Sequence, residues 1–166
     1  MLRIIDITAP DINNGTGFRV TVWVAGCSIQ CKGCHNKWMW DYNQGKIFIE
    51  ESDDILYTLS DWLSKPYIEG ITICGGDPLA QDSIALKELM QLIKWVRNNH
   101  SDKNIWLYTG YETDKFDPNN IIEKQKIEIV NAVDVVVDGP YIEELKSYEC
   151  PFRGSSNQRI IKKENV

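Results

Sequence analysis

The chain has 166 residues, 43% of them hydrophobic and 25% charged. That composition excludes a disordered chain, a fibrous repeat and a coiled coil. The length suits one domain of roughly 100–200 residues, with a core that needs no disulfide staples. No apolar run approaches the roughly 20 residues of a membrane span, and the Met-Leu-Arg-Ile-Ile-Asp start lacks a signal-peptide layout, so a cytoplasmic protein with no membrane partner is expected. The net charge of −6 makes a poor nucleic-acid binder, and no such partner is expected. The balance is uneven. Residues 150–166 carry Arg153, Arg159, Lys162 and Lys163 against Glu164, which puts this tail segment at +3 and the rest of the chain at −9.

The elements alternate along the chain. Residues 2–7 and 19–25 read as strands, separated by the turn residues Asn13-Asn14-Gly15-Thr16-Gly17. Residues 52–64 place Ile55, Leu56, Leu59, Trp62 and Leu63 at helical spacing, with Pro66 beyond the end. A short strand at 71–74 runs into Gly75-Gly76. Residues 83–98 form the clearest amphipathic helix, through Leu86, Leu89, Met90, Ile93 and Val96. A strand at 105–108 stops at Gly110. Asp117-Pro118 suits an N-cap and first position for a helix over 118–131. A strand at 133–137 stops at Gly139-Pro140, and Ile160-Ile161 suggests a last short strand. Strands alternating with helices imply a mostly parallel sheet, whose ligands gather at the carboxyl ends of the strands. Cys27, Gly75-Gly76, Thr109-Gly110 and Asp138-Gly139 each follow a strand, so four strand ends should converge on one rim.

Five cysteines are present: Cys27, Cys31, Cys34, Cys74 and Cys150. An odd number with three in one short run reads, in a reducing compartment, as metal or cluster ligation rather than disulfides. Cys27-x-x-x-Cys31-x-x-Cys34 can grip three corners of a [4Fe–4S] cube and leave the fourth iron open, where an ordinary cluster takes four cysteines. A zinc site completed by His35 or Cys150 is the alternative at this stage. Cys74, on a buried strand, reads as a small hydrophobe. Trp38, Trp40 and Tyr42 read chiefly as core aromatics, with screening of a cluster from solvent as the other reading.

The triplet resembles the signature of radical S-adenosylmethionine (SAM) enzymes, and Gly75-Gly76-Asp77-Pro78-Leu79 resembles that superfamily's Gly-Gly-Glu-Pro motif, with Asp77 in place of Glu. The residue before the third cysteine, commonly aromatic there, is Gly33 here. Further motifs are Asn14-Gly15-Thr16-Gly17-Phe18-Arg19, Cys34-His35-Asn36, Tyr108-Thr109-Gly110-Tyr111, Val137-Asp138-Gly139-Pro140 and Phe152-Arg153-Gly154-Ser155-Ser156-Asn157-Gln158-Arg159. Together they resemble the activating proteins of the anaerobic (class III) ribonucleoside-triphosphate reductase over nearly the whole chain.

The resemblance implies a single radical SAM domain over 1–166 with the basic tail at 150–166, folded as an incomplete parallel β/α barrel; a complete barrel needs about 250 residues. It implies a [4Fe–4S] cluster on Cys27, Cys31 and Cys34. It implies SAM contacts from Gly33, Asn36, Gly75, Gly76, Asp77, Thr109 and Asp138. Arg153, Ser155, Asn157 and Arg159 are then expected to meet the SAM carboxylate or the reductase. The implied reaction begins with one electron from a donor such as flavodoxin. SAM is cleaved to methionine and a 5′-deoxyadenosyl radical, which takes a hydrogen from a glycine of the reductase. Another glycyl-radical activase, of the pyruvate formate-lyase type, or a non-enzymatic zinc or Fe–S module are the other readings.

Overall fold

A computed structural model describes residues 1–163. The β-branched runs found in the sequence become the strands of one mixed sheet. The strands are β1 (Arg3–Asp11), β2 (Phe18–Val24), β3 (Lys46–Ile47), β4 (Ile68–Gly75), β5 (Asn104–Tyr108), β6 (Val135–Asp138) and β7 (Arg159–Lys162). Their order is β3-β1-β2-β4-β5-β6-β7. The four strands β2, β4, β5 and β6 pair in parallel, and the flanks pair antiparallel through β1 with β2, β1 with β3, and β6 with β7. Five of the seven strands therefore point one way, with β1 and β7 reversed. The sheet is not closed, since β3 and β7 lie at its two ends. The open, mostly parallel α/β sheet expected of an incomplete barrel is found, with antiparallel flanks at β1 and β7. The reason is connectivity, because β1–β2 is a direct hairpin-like return and the tail comes back beside β6 without a crossover helix.

Three helices cover one face of this sheet: α1 (Ser52–Leu63), α2 (Ser83–Asn99) and α3 (Ile121–Ala132). Asp82 caps α2 by accepting from the Ala85 N–H at 2.7 Å. The cap expected at Asp117 lies elsewhere. Asp117 accepts from Asn119 N–H and closes a local turn, so α3 starts three residues later, capped by Asn120, which accepts from Ile122 and Glu123. Asp134 precedes β6 and is structural: its carboxylate accepts from Ile105 N–H at 2.6 Å and pairs with Arg97 at 2.8 Å.

The two-residue alternation of the strands makes two different surfaces. Val20, Val22, Val24, Ile71, Ile73, Ile105, Leu107 and Val136 join Leu59, Leu63, Leu86, Leu89, Ile93 and Ile129 of the helices in one buried core. The intervening residues, Arg19, Thr21, Trp23, Thr72, Cys74, Trp106, Tyr108, Val135 and Val137, face the other way. There the tail folds back over part of the sheet. Phe152 meets Trp106 edge to face at 5.6 Å between ring centres, in a smaller cluster with Val135, Val137 and Ile160. No described helix is long and apolar enough to cross a membrane.

Candidate cluster and cofactor site

The open face of the sheet carries a cavity of about 640 Å³, inside the roughly 300–1,000 Å³ range of small-molecule sites. Cys27, Cys31 and Cys34 line it at one end, beside His35, Asn36 and Trp40. Gly75, Gly76 and Asp77 from the end of β4, and Thr109 and Gly110 from the end of β5, form the rim. Trp23, Cys74 and Tyr108 form the wall, and Gly139, Tyr141, Phe152, Arg153 and Gln158 close the far side. The convergence of strand ends is thus realised.

The cysteine loop is held from behind by backbone. Gly26 and Cys27 donate to the carbonyls of Met39 and Trp40 at 2.8 and 3.2 Å, and Cys34 N–H donates to Cys31 at 3.1 Å. All five cysteines are free thiols, with Cys27 buried and Cys31 and Cys34 half-buried. Burial pushes the Cys27 and Cys31 thiols up, so a cation or cluster is needed to hold them as thiolates at neutral pH. Among the described residues, no three His, Cys, Asp or Glu groups converge on a point as the ligands of a single ion do. Cys150 does not line the cavity; its carbonyl accepts from Arg153 N–H in a tail turn. Cys74, on β4, lines the wall apart from the loop that carries Cys27, Cys31 and Cys34.

The glycine pair has a different local reason from the one expected. A Cβ on Gly76 would lie 2.4 Å from the Gly26 carbonyl oxygen, so the close approach is backbone to backbone. Asp77 N–H donates to that same carbonyl at 2.8 Å, and Gly76 N–H to Val24 at 2.8 Å. The pair thereby welds the β4 end to the start of the cysteine loop. Asp77 is 2% exposed and its carboxylate is fully engaged, accepting from Leu79, Ala80 and Gly110 N–H and from the Thr109 hydroxyl. Burial raises its pKa despite those donors. Asp77 and Thr109, both expected on SAM, reach the cavity but spend their polar atoms clamping β4 to β5.

Other expected site residues make their contacts away from the cavity. Gly33, with φ +74°, does not line the cavity: a Cβ there would meet Glu143 Oε1 at 2.7 Å, so this position faces the turn at 143–145. Asp138 is fully buried and outside the cavity. Its oxygens accept from Arg159 Nε at 2.8 Å, Arg159 Nη2 at 2.6 Å and the Thr113 N–H and hydroxyl. Burial works to raise its pKa, and these donors overcome that and hold it low. In the tail, Ser155 accepts from Ile142 N–H, Asn157 donates to the Pro140 carbonyl, and Arg159 also grips Asp114. These three residues brace the tail against the β6 end. Of the four tail positions, Arg153 alone lines the cavity.

Sequence reasoning passed over two clamps. Gln81, 9% exposed, donates to the carbonyls of Ala25, Gly26 and Asp77. Gln158 accepts from Gly154 and Ser155 N–H and donates to the Gly139 carbonyl. Their signal was position: each sits a few residues past a glycine-bearing strand end or inside a tail motif. Tyr108 donates its hydroxyl to the Phe152 carbonyl at 2.9 Å.

Among the described residues, Trp40 Nε1 and Arg153 Nε, on two residues of the cavity lining, are buried donors without a partner.

The chain is similar to known proteins. Residues 13–161 match the family described as a 4Fe-4S single cluster domain. The chain is 37% identical over 150 residues to the anaerobic ribonucleoside-triphosphate reductase-activating protein of Enterobacteria phage T4, covering 90% of this chain and 87% of the relative. It is 36% identical over 151 residues to the protein of that name from Escherichia coli K12, covering 90% and 92%. The counterpart in Haemophilus influenzae is 35% identical over 151 residues. A cluster-domain match over most of the chain, with relatives of one name matched almost end to end, shows that this chain belongs to the family of anaerobic ribonucleoside-triphosphate reductase-activating proteins.

Proposed function

We propose that the protein is a radical SAM activating enzyme that generates the glycyl radical of an anaerobic ribonucleoside-triphosphate reductase. The observation that carries this reading is three thiols of one loop at one end of a ligand-sized cavity at the carboxyl ends of the strands, with Cys74 apart from that loop on the β4 wall. When bound, a three-thiolate [4Fe–4S] cluster with SAM at its open iron supplies one-electron reduction of the sulfonium, and hence hydrogen abstraction from a glycine. The remaining work belongs to the chain.

Cys27, Cys31 and Cys34 hold the cluster. Asn36 and the Gly75-Gly76 backbone form the adjoining wall for the methionyl part of SAM. Arg153, which of the four tail residues is the one lining the cavity, is the anchor for the SAM carboxylate. Gln81 and Asp77 fix the separation between the cysteine loop and the β4 and β5 ends, so reactants are held in place rather than activated by a general base. The open side of the sheet leaves room for the reductase to present its glycine, and the tail braced by Asp138 and Arg159 borders that approach. The electron comes from a low-potential donor of the flavodoxin kind. We assign the whole of 1–166 to one domain working in the cytoplasm.

The test is electron paramagnetic resonance on the anaerobically reconstituted, reduced protein, followed by mixing with the reductase. A [4Fe–4S] signal that changes on adding SAM, and a glycyl radical that then appears on the reductase, is the expected result. Bound zinc without iron, or an iron signal indifferent to SAM, overturns the proposal.

A further inference from the structure

The polar tail meets the cysteine loop through one short segment. Tyr141 lines the cavity together with Cys31 and Cys34. Burial pushes the Cys31 thiol up, and the Tyr141 main-chain N–H, donating to that sulfur, works the other way. The next residues hold the same loop from outside. Lys32 pairs with Glu143 and Glu144, each at 3.3 Å, and Glu143 fills the space in front of Gly33. This segment is gripped in turn by the tail. Asn157 Nδ2 donates to the Pro140 carbonyl at 2.8 Å, and Ser155 Oγ accepts from the Ile142 N–H at 3.2 Å. The Pro140 carbonyl and the Tyr141 N–H belong to one peptide group. In a trans peptide these two point in opposite directions from one rigid plane. Asn157 therefore holds one end of the plane whose other end meets Cys31. Asn157 Oδ1 meets no donor among the described residues, so the Pro140 carbonyl is the one polar contact of that side chain there.

We propose that Asn157 is a positioning residue of the cluster: through the Pro140–Tyr141 peptide it holds the Tyr141 N–H on the Cys31 sulfur, and so raises the reduction potential of a cluster held by Cys27, Cys31 and Cys34. The inference rests on the three-cysteine assignment and not on SAM. Reduction adds negative charge to the sulfurs of a cluster, and a donor aimed at one of them favours the reduced state. Asn157 strengthens that donor, because a hydrogen bond to the carbonyl polarises the N–H at the other end of the same amide. The acceptor is the ligand thiolate itself, which stays on Cys31 whether or not SAM is present. Ser155 and Asn157, expected to touch SAM or the reductase, act here by placing a main-chain donor.

The experiment is a potentiometric titration, read by electron paramagnetic resonance, of reconstituted wild type, Asn157→Ala and Asp114→Asn, all without SAM. Asp114→Asn loosens the tail at Arg159 and leaves the Pro140–Tyr141 peptide untouched. Asn157→Ala is expected to hold the same iron at a more negative potential, and Asp114→Asn to titrate like wild type. Equal potentials for Asn157→Ala and wild type overturn the proposal. So does an equal shift in both variants, which would mean a loosened tail and no aimed donor. The donor itself is read in wild type grown with ¹⁵N-tyrosine. Pulsed resonance of its reduced cluster should show a ¹⁵N coupling, and Tyr141→Phe grown in the same way should lose it. No coupling in wild type, or one that survives Tyr141→Phe, overturns the proposal. Should Asn157→Ala assemble no cluster, Asn157→Ser takes its place with a shift of the same sign expected, and a potential equal to wild type overturns the proposal. Wild type that holds no [4Fe–4S] cluster at all fails at the earlier step and overturns the cluster assignment itself.

Discussion

Adjacent residues of β5 live in two chemical environments. Ile105 and Leu107 point into the helix-covered core, where every neighbour is apolar and shape alone decides the energy. Trp106 and Tyr108 point to the open face, where the tail, the buried guanidinium of Arg19 and the cavity share the space. Arg19 is fully buried. It donates to Thr72 Oγ1 and to the carbonyls of Thr16 and Ile71, lies 5.3 Å from the Trp106 ring, and is lowered to about 10 by burial. One sheet thus separates stability from chemistry by a shift of one residue in register. The helix face holds the strands, and the open face spends its polar groups on placing loops.

That separation makes opposed expectations for substitutions on the two sides. The largest effect on chemistry should come from Cys31→Ala at the cavity end. Loss of one of three ligands is expected to abolish cluster assembly, read as iron content and visible absorption, while circular dichroism shows an unchanged fold. A Cys31→Ala protein that still assembles the cluster and cleaves SAM would break the triplet assignment. Gly76→Ala comes next. Its Cβ would meet the Gly26 carbonyl at 2.4 Å, so the β4 end and the cysteine loop cannot both keep their places. Reconstitution yield should fall steeply although no ligand has been touched.

On the helix face the order is reversed. Leu107→Ala should cost about 3 kcal/mol of stability by denaturant unfolding, from the usual 2–5 for a buried leucine. The cluster spectrum of the folded fraction should be unaltered. A shifted cluster spectrum in this variant would show that the two faces are coupled.

The sequence made the helix face plain, because a core needs only periodicity. Leu86, Leu89 and Ile93 announce α2 by spacing, and Val135-Val136-Val137 announces a strand. The cysteine triplet was equally plain, since ligand type and spacing are local. The open face was less legible. Asp138 at a strand end reads as a ligand carboxylate until Arg159, 21 residues later, is seen to return antiparallel beside it. Gly33 reads as a cofactor position until Glu143 fills the space before it. Both depend on a tail whose polar, small residues show no period. Its order comes from side-chain to backbone bonds such as those of Gln158 and Asn157, which leave no pattern in a linear sequence.

Arg153 sharpens the same comparison within the tail. Arg153→Ala should weaken SAM binding, measured by equilibrium dialysis on reconstituted protein, because this guanidinium-bearing residue lines the cavity. The hydrogen bond from Arg153 to the Gln158 carbonyl is one brace among several, so the fold should be kept. Unchanged SAM binding and unchanged reductase activation would make Arg153 another brace and leave the carboxylate without an anchor.

The smallest effect concerns the brace itself. Asp138 is held below the ordinary carboxylate range: burial opposes ionisation, but Arg159 and Thr113 outweigh it. A carboxylate lowered in the folded state stabilises the fold at pH above its unfolded value, about 3.9. That contribution falls away as pH drops through the lower, folded value. Acidification from pH 7 to about 5 should therefore leave this contact intact, and the loss should come only below about pH 4. Asp138→Asn keeps the shape but removes the charge, so it should flatten the acid limb of a stability-against-pH curve. It also leaves the Arg159 guanidinium with Asp114 alone as its ion partner. Asp114→Asn, at the exposed end of the same guanidinium, should change that limb less. Equal changes would mean that the ion pair acts through solvent-screened charge and not through the buried carboxylate, and the tail would then be held by its backbone bonds alone.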